Sequence, residues 1–239
     1  MAGRVKPMLD DKRKCLKGLY FIFNIGQDGF NEIPLWLEGI MANGAGIIQV
    51  RGKDIHTDKL ASMTCDVIRL AKRYDGIVIV NDYPEIARAA KAHGVHLGAK
   101  DTSIIKARNL LGGDFIIGAT VRNVEQAGRA IRAGADYIAV GSVFKSPTKP
   151  SAPVVGLDVI ASVKRRFPGT PLCAIGGINT ENIMSVKQAG ADMAAVISAI
   201  TTAANPEKTA FKLSAVLSAR LPTIEEEDLC EFDDADLDD

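Results

Sequence analysis

No Cys-x-x-Cys pair exists in this 239-residue chain; its four cysteines, Cys15, Cys65, Cys173 and Cys230, stand far apart. That spacing argues against a structural metal cluster or a disulfide framework, and the chain reads as reduced. Cys173 sits inside an apolar run, where a small core residue is expected. No apolar stretch approaches the roughly 20 residues of a membrane span, and the opening Met1-Ala-Gly-Arg-Val-Lys has no signal-peptide apolar region. A cytoplasmic protein with no membrane partner is the expectation. Also missing is a Gly-x-Gly-x-x-Gly after the first strand, the fingerprint of an open dinucleotide-binding sheet.

Net charge is absent too, with 29 basic and 29 acidic residues, but the balance is uneven. The last fifteen residues, Glu225 to Asp239, hold ten acids and no base, so the rest carries 29 bases against 19 acids, a net +10. Such an excess invites an anionic partner, unless the lysines and arginines only solvate helix faces. The partners expected are small molecules rather than nucleic acid, and a homo-oligomer is left open. Residues 1–17 read as a basic N-terminal extension, a loose lead-in or a helical turn, and 221–239 as an acidic tail of disordered composition. Between them, residues 18–220 form one domain.

What the chain does have is alternation. Strands are expected at Gly18–Ile25, Gly46–Arg51, Ile77–Asn81, Val95–Gly98, Phe115–Gly118, Tyr137–Gly141, Leu172–Ile175 and Met193–Ile197. Helices fall between them, near Asn31–Asn43, Thr57–Tyr74, Pro84–Ala92, Ser103–Leu111, Val124–Ala133, Leu157–Phe167 and Thr180–Ala189, with a last one at Pro206–Arg220. Asn43-Gly-Ala-Gly, Ala92-His-Gly-Val, Ala133-Gly-Ala-Asp and Ala189-Gly-Ala-Asp repeat at the helix-to-strand joints, where small residues let the chain turn tightly. Eight units of this size fit a single-domain α/β fold, a closed (β/α)8 TIM barrel.

Catalytic groups in such a barrel lie where strands end. Strand two offers Gln49, Arg51 and Lys53 at period two, on one face of an extended segment. Strand three closes on Asn81-Asp82, the loop after strand four holds Asp101, strand five offers Thr120, and the loop after strand six holds Ser146, Thr148 and Lys149. Gly176-Gly177 after strand seven lets backbone amides approach an oxyanion, and Ser198 after strand eight adds a hydroxyl, a pattern that suits a phosphorylated ligand. Three cations, Arg51, Lys53 and Lys149, around the carboxylates of Asp82 and Asp101 suit a diphosphate with a divalent metal. The competing possibility is a set of rim salt bridges. His56 reads as a lid residue or an exposed one, His93 as a cation at a helix end, and His96 as a structural residue able to point inward. Trp36 and Phe30 either cover an aromatic ligand or pack a helix on the barrel.

Taken in order, Gln49-Val-Arg-Gly-Lys53, Asn81-Asp82, His96-Leu-Gly-Ala-Lys-Asp101, Asp136 to Lys149, Ala174-Ile-Gly-Gly-Ile-Asn179 and Val196-Ile-Ser198 resemble the thiamine-phosphate synthase family over roughly residues 18–220. The resemblance implies an enzyme, a transferase joining an aminopyrimidine diphosphate to a thiazole phosphate with release of diphosphate. It implies that Gln49, Val50, Arg51, Gly52, Lys53, Asn81, Thr120 and Lys149 hold the pyrimidine diphosphate, with Arg51, Lys53, Thr120 and Lys149 catalytic. Asp82 and Asp101 would hold Mg2+. Ser146, Pro147, Thr148, Gly177, Ile197 and Ser198 would hold the thiazole phosphate. Thr120, Ala99, Ser142 and Arg122 depart from the family pattern, where serine, glutamine, proline and histidine are usual, and none of these removes a metal or diphosphate ligand. Two alternatives stand beside it: a thiazole tautomerase-like paralogue, and a non-catalytic sensor of a phosphorylated ligand.

Overall fold

Along the first strand, β1 (Gly18–Asn24), side chains alternate between two apolar environments, and this alternation organises the molecule. Leu19, Phe21 and Phe23 join the large core outside the strands, while Tyr20 and Ile22 join a second, inner cluster. A computed structural model describes residues 12–26, 32–53 and 55–219. In it eight parallel strands close into a barrel in sequence order, β8 pairing back onto β1. The others are β2 (Ile47–Arg51), β3 (Ile77–Asn81), β4 (Gly94–Leu97), β5 (Ile116–Val121), β6 (Tyr137–Gly141), β7 (Leu172–Ile175) and β8 (Met193–Val196).

Helices wrap the outside: α1 (Trp36–Ala42), α2 (Thr57–Ala71), α3 (Pro84–Ala89), α4 (Ile104–Leu111), α5 (Val124–Arg132), α6 (Leu157–Arg166) and α7 (Ile183–Gln188), then the short α8 (Ser198–Thr201) and α9 (Pro206–Ser218). Several of their starts are capped by side chains. Ser103, Asn123 and Asn205 accept hydrogen bonds from the amides of Lys106, Gln126 and Lys208, each such cap contributing about 1 kcal/mol. Pro206 adds a preset backbone at the first turn of α9. The apolar faces then seal the outer core, where full burial of a side chain such as Leu37 or Ile160 stabilises by roughly 1.5–3 kcal/mol.

Most expected elements fall where the period-two and helical patterns put them, with differences at the ends. Strand five runs on to Val121 rather than stopping at Gly118, because Ala119 and Val121 continue the outward-facing apolar series and Thr120 pairs with Ala139. The first helix starts at Trp36 and the seventh at Ile183, later than expected; Asn31 lies outside the described residues. Trp36 packs edge-on against Phe21, ring centroids 5.8 Å apart, so it belongs to the outer core and not to a ligand. Phe30 lies outside the described residues.

The basic lead-in is more than a loose segment over its described part. Leu16 is buried in the inner cluster with Tyr20, Ile47, Ile77 and Met193, closing the barrel at the end where the strands begin. Arg13 and Arg108 both hold the Asp136 carboxylate, and Lys12 pairs with Asp75. His93 also differs from the sequence expectation of a helix-end cation. Its Nδ1 accepts a hydrogen bond from the Val78 amide at 3.0 Å, and burial, with Lys12 nearby, lowers its pKa; the ring is kept neutral to pin α3 and β4 to β3. His56 caps α2 by accepting from the Asp58 amide.

Candidate active site

The inner face of the barrel changes character from one end to the other. On β2 the inward series is Ile47, Gln49, Arg51; on β3 it is Ile77, Ile79, Asn81; on β5 it is Ile116, Gly118, Thr120. Period two thus places apolar residues low and polar residues at the carboxyl end, on neighbouring strands held in register. They line a cavity of about 340 Å³ at that end. Around its wall stand Gln49, Arg51, Lys53, Asn81, Asp82, Asp101, Thr120, Ser146, Thr148, Lys149, Gly177, Ile197 and Ser198. Three residues read from the motifs do not line it. Val50 points outward into the core, Gly52 turns toward Ile55 and Leu60, and Pro147 is exposed. The same period of two that gathers Gln49, Arg51 and Lys53 puts Val50 on the other face.

Positive charge dominates one side. Arg51 is buried and held by a hydrogen bond to Asn24 Oδ1, the last inward residue of β1. Lys53 Nζ lies 3.5 Å from Asp82 Oδ2. Burial and the neighbouring Arg51 and Lys53 pull the Lys149 ammonium below the usual lysine range, against the opposing pull of Asp82 and Asp101. Lys100 and Arg122 add cations to the same wall.

The two carboxyls are shaped by their backbones. Asp82 has a φ of 67°, a left-handed conformation uncommon outside glycine, fixed by its amide donating to His96 O at 2.9 Å. Asp101 Oδ2 accepts from the Gly98 amide at 2.7 Å. Burial, then the neighbouring Asp101 carboxyl, raises Asp82 to about 6, whereas for Asp101 the neighbouring Asp82 and the Gly98 amide outweigh burial and lower it. Among the described residues no group of three or more His, Cys, Asp or Glu side chains could hold a metal. Two hard oxygen donors at the cavity edge fit a divalent cation that takes its remaining ligands from water and phosphate oxygens.

Across the cavity, Gly176 and Gly177 adopt φ of 104° and 67°. A Cβ on Gly177 would come within 2.3 Å of Lys145 O, so the turn serves close packing as well as exposing amides.

One part of the site escaped the motifs. Beneath the cavity a buried polar chain crosses the barrel: Gln49 Nε2 to Tyr20 Oη at 2.8 Å, Tyr20 Oη to Tyr137 Oη at 2.9 Å, Tyr137 Oη to His96 Nδ1 at 2.8 Å, and His96 Nε2 to Thr120 Oγ1 at 2.8 Å. Burial, with the charge of Lys149, lowers His96 to about 4 and keeps it neutral. Tyr137 finds room because its partner on β5 is Gly118, where a Cβ would sit 2.0 Å from the ring.

Comparison with known proteins sets this geometry in a family. A model of the thiamine monophosphate synthase family matches residues 19–200. The chain belongs to that family. A thiamine-phosphate synthase from Halorhodospira halophila is 40% identical over 177 residues, 74% of this chain and 84% of that protein. One from Methylobacillus flagellatus is 39% identical over 196 residues, covering 82% and 92%. The solved thiamine phosphate pyrophosphorylase from Pyrococcus furiosus superposes with a TM-score of 0.76 at 33% identity, over 86% of this chain and 97% of that one. Like these relatives the chain is an enzyme of small-molecule metabolism, and among its described residues no helix is long and apolar enough to cross a membrane.

Proposed function

We propose that the chain joins an aminopyrimidine diphosphate to a thiazole phosphate, forming thiamine phosphate and releasing diphosphate. The observation that carries this reading is a single cavity with Arg51, Lys53, Lys149, Asp82 and Asp101 on one side and the Gly176-Gly177 turn with Ser198 on the other. Two separately anchored anions fit that arrangement. Membership of the family and its relatives' printed activity support it.

The chemistry follows from the charges. Cleavage of the bond from the pyrimidine methylene to the diphosphate oxygen places negative charge on the leaving group and leaves a cation stabilised by the amino-substituted ring. Arg51, Lys53 and Lys149 face the diphosphate side and stabilise its growing charge. Asp82 and Asp101 would hold Mg2+, which when bound neutralises diphosphate charge. The thiazole phosphate, held through Ser146, Thr148, the Gly177 amide and Ser198, presents its ring nitrogen to the methylene, and a carbon–nitrogen bond forms. Gln49, Asn81 and Thr120 orient the pyrimidine. Proximity lowers the barrier, and no protein nucleophile is needed. Cys173 could not serve as one, because burial raises its thiol far above the ordinary range.

The test is diphosphate release by the full chain. Release is expected only when both substrates and magnesium are present. Release with one substrate, or none with both, would overturn the reading.

A further inference from the structure

We infer that His96, aligned by Tyr137 and Tyr20, is a positioning residue that turns the Thr120 hydroxyl proton into the cavity, making Thr120 a hydrogen-bond donor to the pyrimidine half of the substrate. The ligand named here rests on the proposed function; the proton order does not.

Counting protons along the buried polar chain fixes their order. Gln49 faces Tyr20 with its amide nitrogen, which can only donate, so Tyr20 Oη is an acceptor there. Tyr20 is fully buried, and its own proton has one acceptor in reach among the described residues, Tyr137 Oη at 2.9 Å. Tyr137 therefore passes its proton on to His96 Nδ1 at 2.8 Å. A neutral imidazole carries one N–H, and with Nδ1 accepting, that proton sits on Nε2 and is donated to Thr120 Oγ1. Thr120, accepting from below, is left with its own proton to give, and it lines the cavity. The opposite order sends a second donor to Tyr20 and strands the Tyr20 proton in the core, a cost of about 1–3 kcal/mol. One order satisfies every group.

The consequence is selectivity by polarity. A threonine hydroxyl alone can turn to donate or accept. Tied to Nε2–H it presents a donor, which suits a ring nitrogen lone pair and opposes an N–H at the same place. Tyr137 and Tyr20 do not line the cavity, so they act only through His96 and Thr120.

Two measurements on the full chain test this. Long-range proton–nitrogen NMR of protein labelled at histidine nitrogen, without substrates, should find His96 protonated at Nε2 with a bare Nδ1; the His96→Gln variant identifies the resonance. A proton on Nδ1 would overturn the inference, whatever the substrates prove to be. In kinetics, Tyr137→Phe should raise KM for the pyrimidine diphosphate about tenfold, the worth of one oriented hydrogen bond, and leave KM for the thiazole phosphate within about twofold. In a Thr120→Val background the same change should add less than about twofold, since residues acting through one another are not additive. A full multiplicative effect in that background, or an unchanged pyrimidine KM, would show a merely structural tyrosine. If Tyr137→Phe folds poorly, the NMR measurement on the wild-type protein still decides the proton order. Wild-type protein that released no diphosphate would sink the substrate reading while the NMR result still decided the proton order.

Discussion

Asp82 and Asp101 follow the carboxyl ends of β3 and β4 on one edge of the barrel, and their acidities part: burial and the neighbouring Asp101 raise Asp82 to about 6, while Asp101 falls. Two carboxyls this close disfavour one another's charge, which is why one of them holds its proton more tightly.

Replacing either carboxyl tests that assignment. Asparagine is nearly isosteric with aspartate and uncharged, so Asp82→Asn or Asp101→Asn should lower kcat/KM by on the order of 10²-fold, about 3 kcal/mol on the rate scale. Added magnesium should recover part of the loss. Rate against magnesium concentration checks it, and an unshifted curve in both variants would reduce the pair to a rim contact.

The same pair sets a pH dependence in metal-free protein. Because the folded state raises Asp82 from 3.8 to about 6, it binds the proton more tightly than the unfolded chain does. That contribution to stability is full below about 4 and is lost as pH rises to about 6. Thermal melts of wild type beside Asp82→Asn should therefore diverge over that window, wild type gaining toward acid relative to the variant. Magnesium held by the pair would compete with the proton, so its apparent affinity should weaken below about pH 6.

The two ends of the cavity should answer separately to mutation. Ser198→Ala should raise KM for the thiazole phosphate with little change in kcat, whereas Arg51→Ala should depress the chemical step, where the leaving charge is largest. Steady-state kinetics with each substrate varied in turn would show it. An Arg51→Ala effect confined to the thiazole KM would reverse the assignment.

Leu16 closes the barrel from the side opposite the cavity. Leu16→Ala should cost about 2–5 kcal/mol by leaving a void in the inner cluster, with kcat unchanged at temperatures where the variant is folded. Chemical denaturation measures the first and diphosphate release the second.

A chain truncated after Arg220 should keep its fold and kcat, since the ten acids from Glu225 onward follow the last described helix in the sequence. Activity at low and high salt is the check. A gain confined to low salt would show the acidic segment competing for the basic cavity, and a large loss at both would show that it is needed.

How far the sequence carried depended on whether a signal was local. Gln49, Arg51 and Lys53 could be grouped because alternation along one strand is enough, and Asp82 and Asp101 because both close strands on the same edge. The chain from Gln49 through Tyr20, Tyr137 and His96 to Thr120 could not, since it joins β1 to β6 across the barrel and depends on the register of intervening strands. Its traces were visible all the same: Tyr20 and Tyr137 are polar-tipped residues inside otherwise apolar strands, and His96 stands between Val95 and Leu97. Asn24 left a similar trace, two residues beyond Ile22 on the inward face, where it now holds Arg51. Leu16 was hidden differently, as one apolar residue between Cys15 and Lys17, whose burial only closure of the barrel creates.

The fit of Tyr137 over Gly118 also orders the routes by which this sequence can drift. A methyl group at 118 would collide with the tyrosine ring, so alanine there becomes tolerable only after position 137 has already shrunk. A smaller residue at 137 arriving first removes the link to His96 before any benefit at 118 can follow. Every path away from the pair therefore begins with a loss at position 137, and the two positions are bound to change in sequence rather than independently.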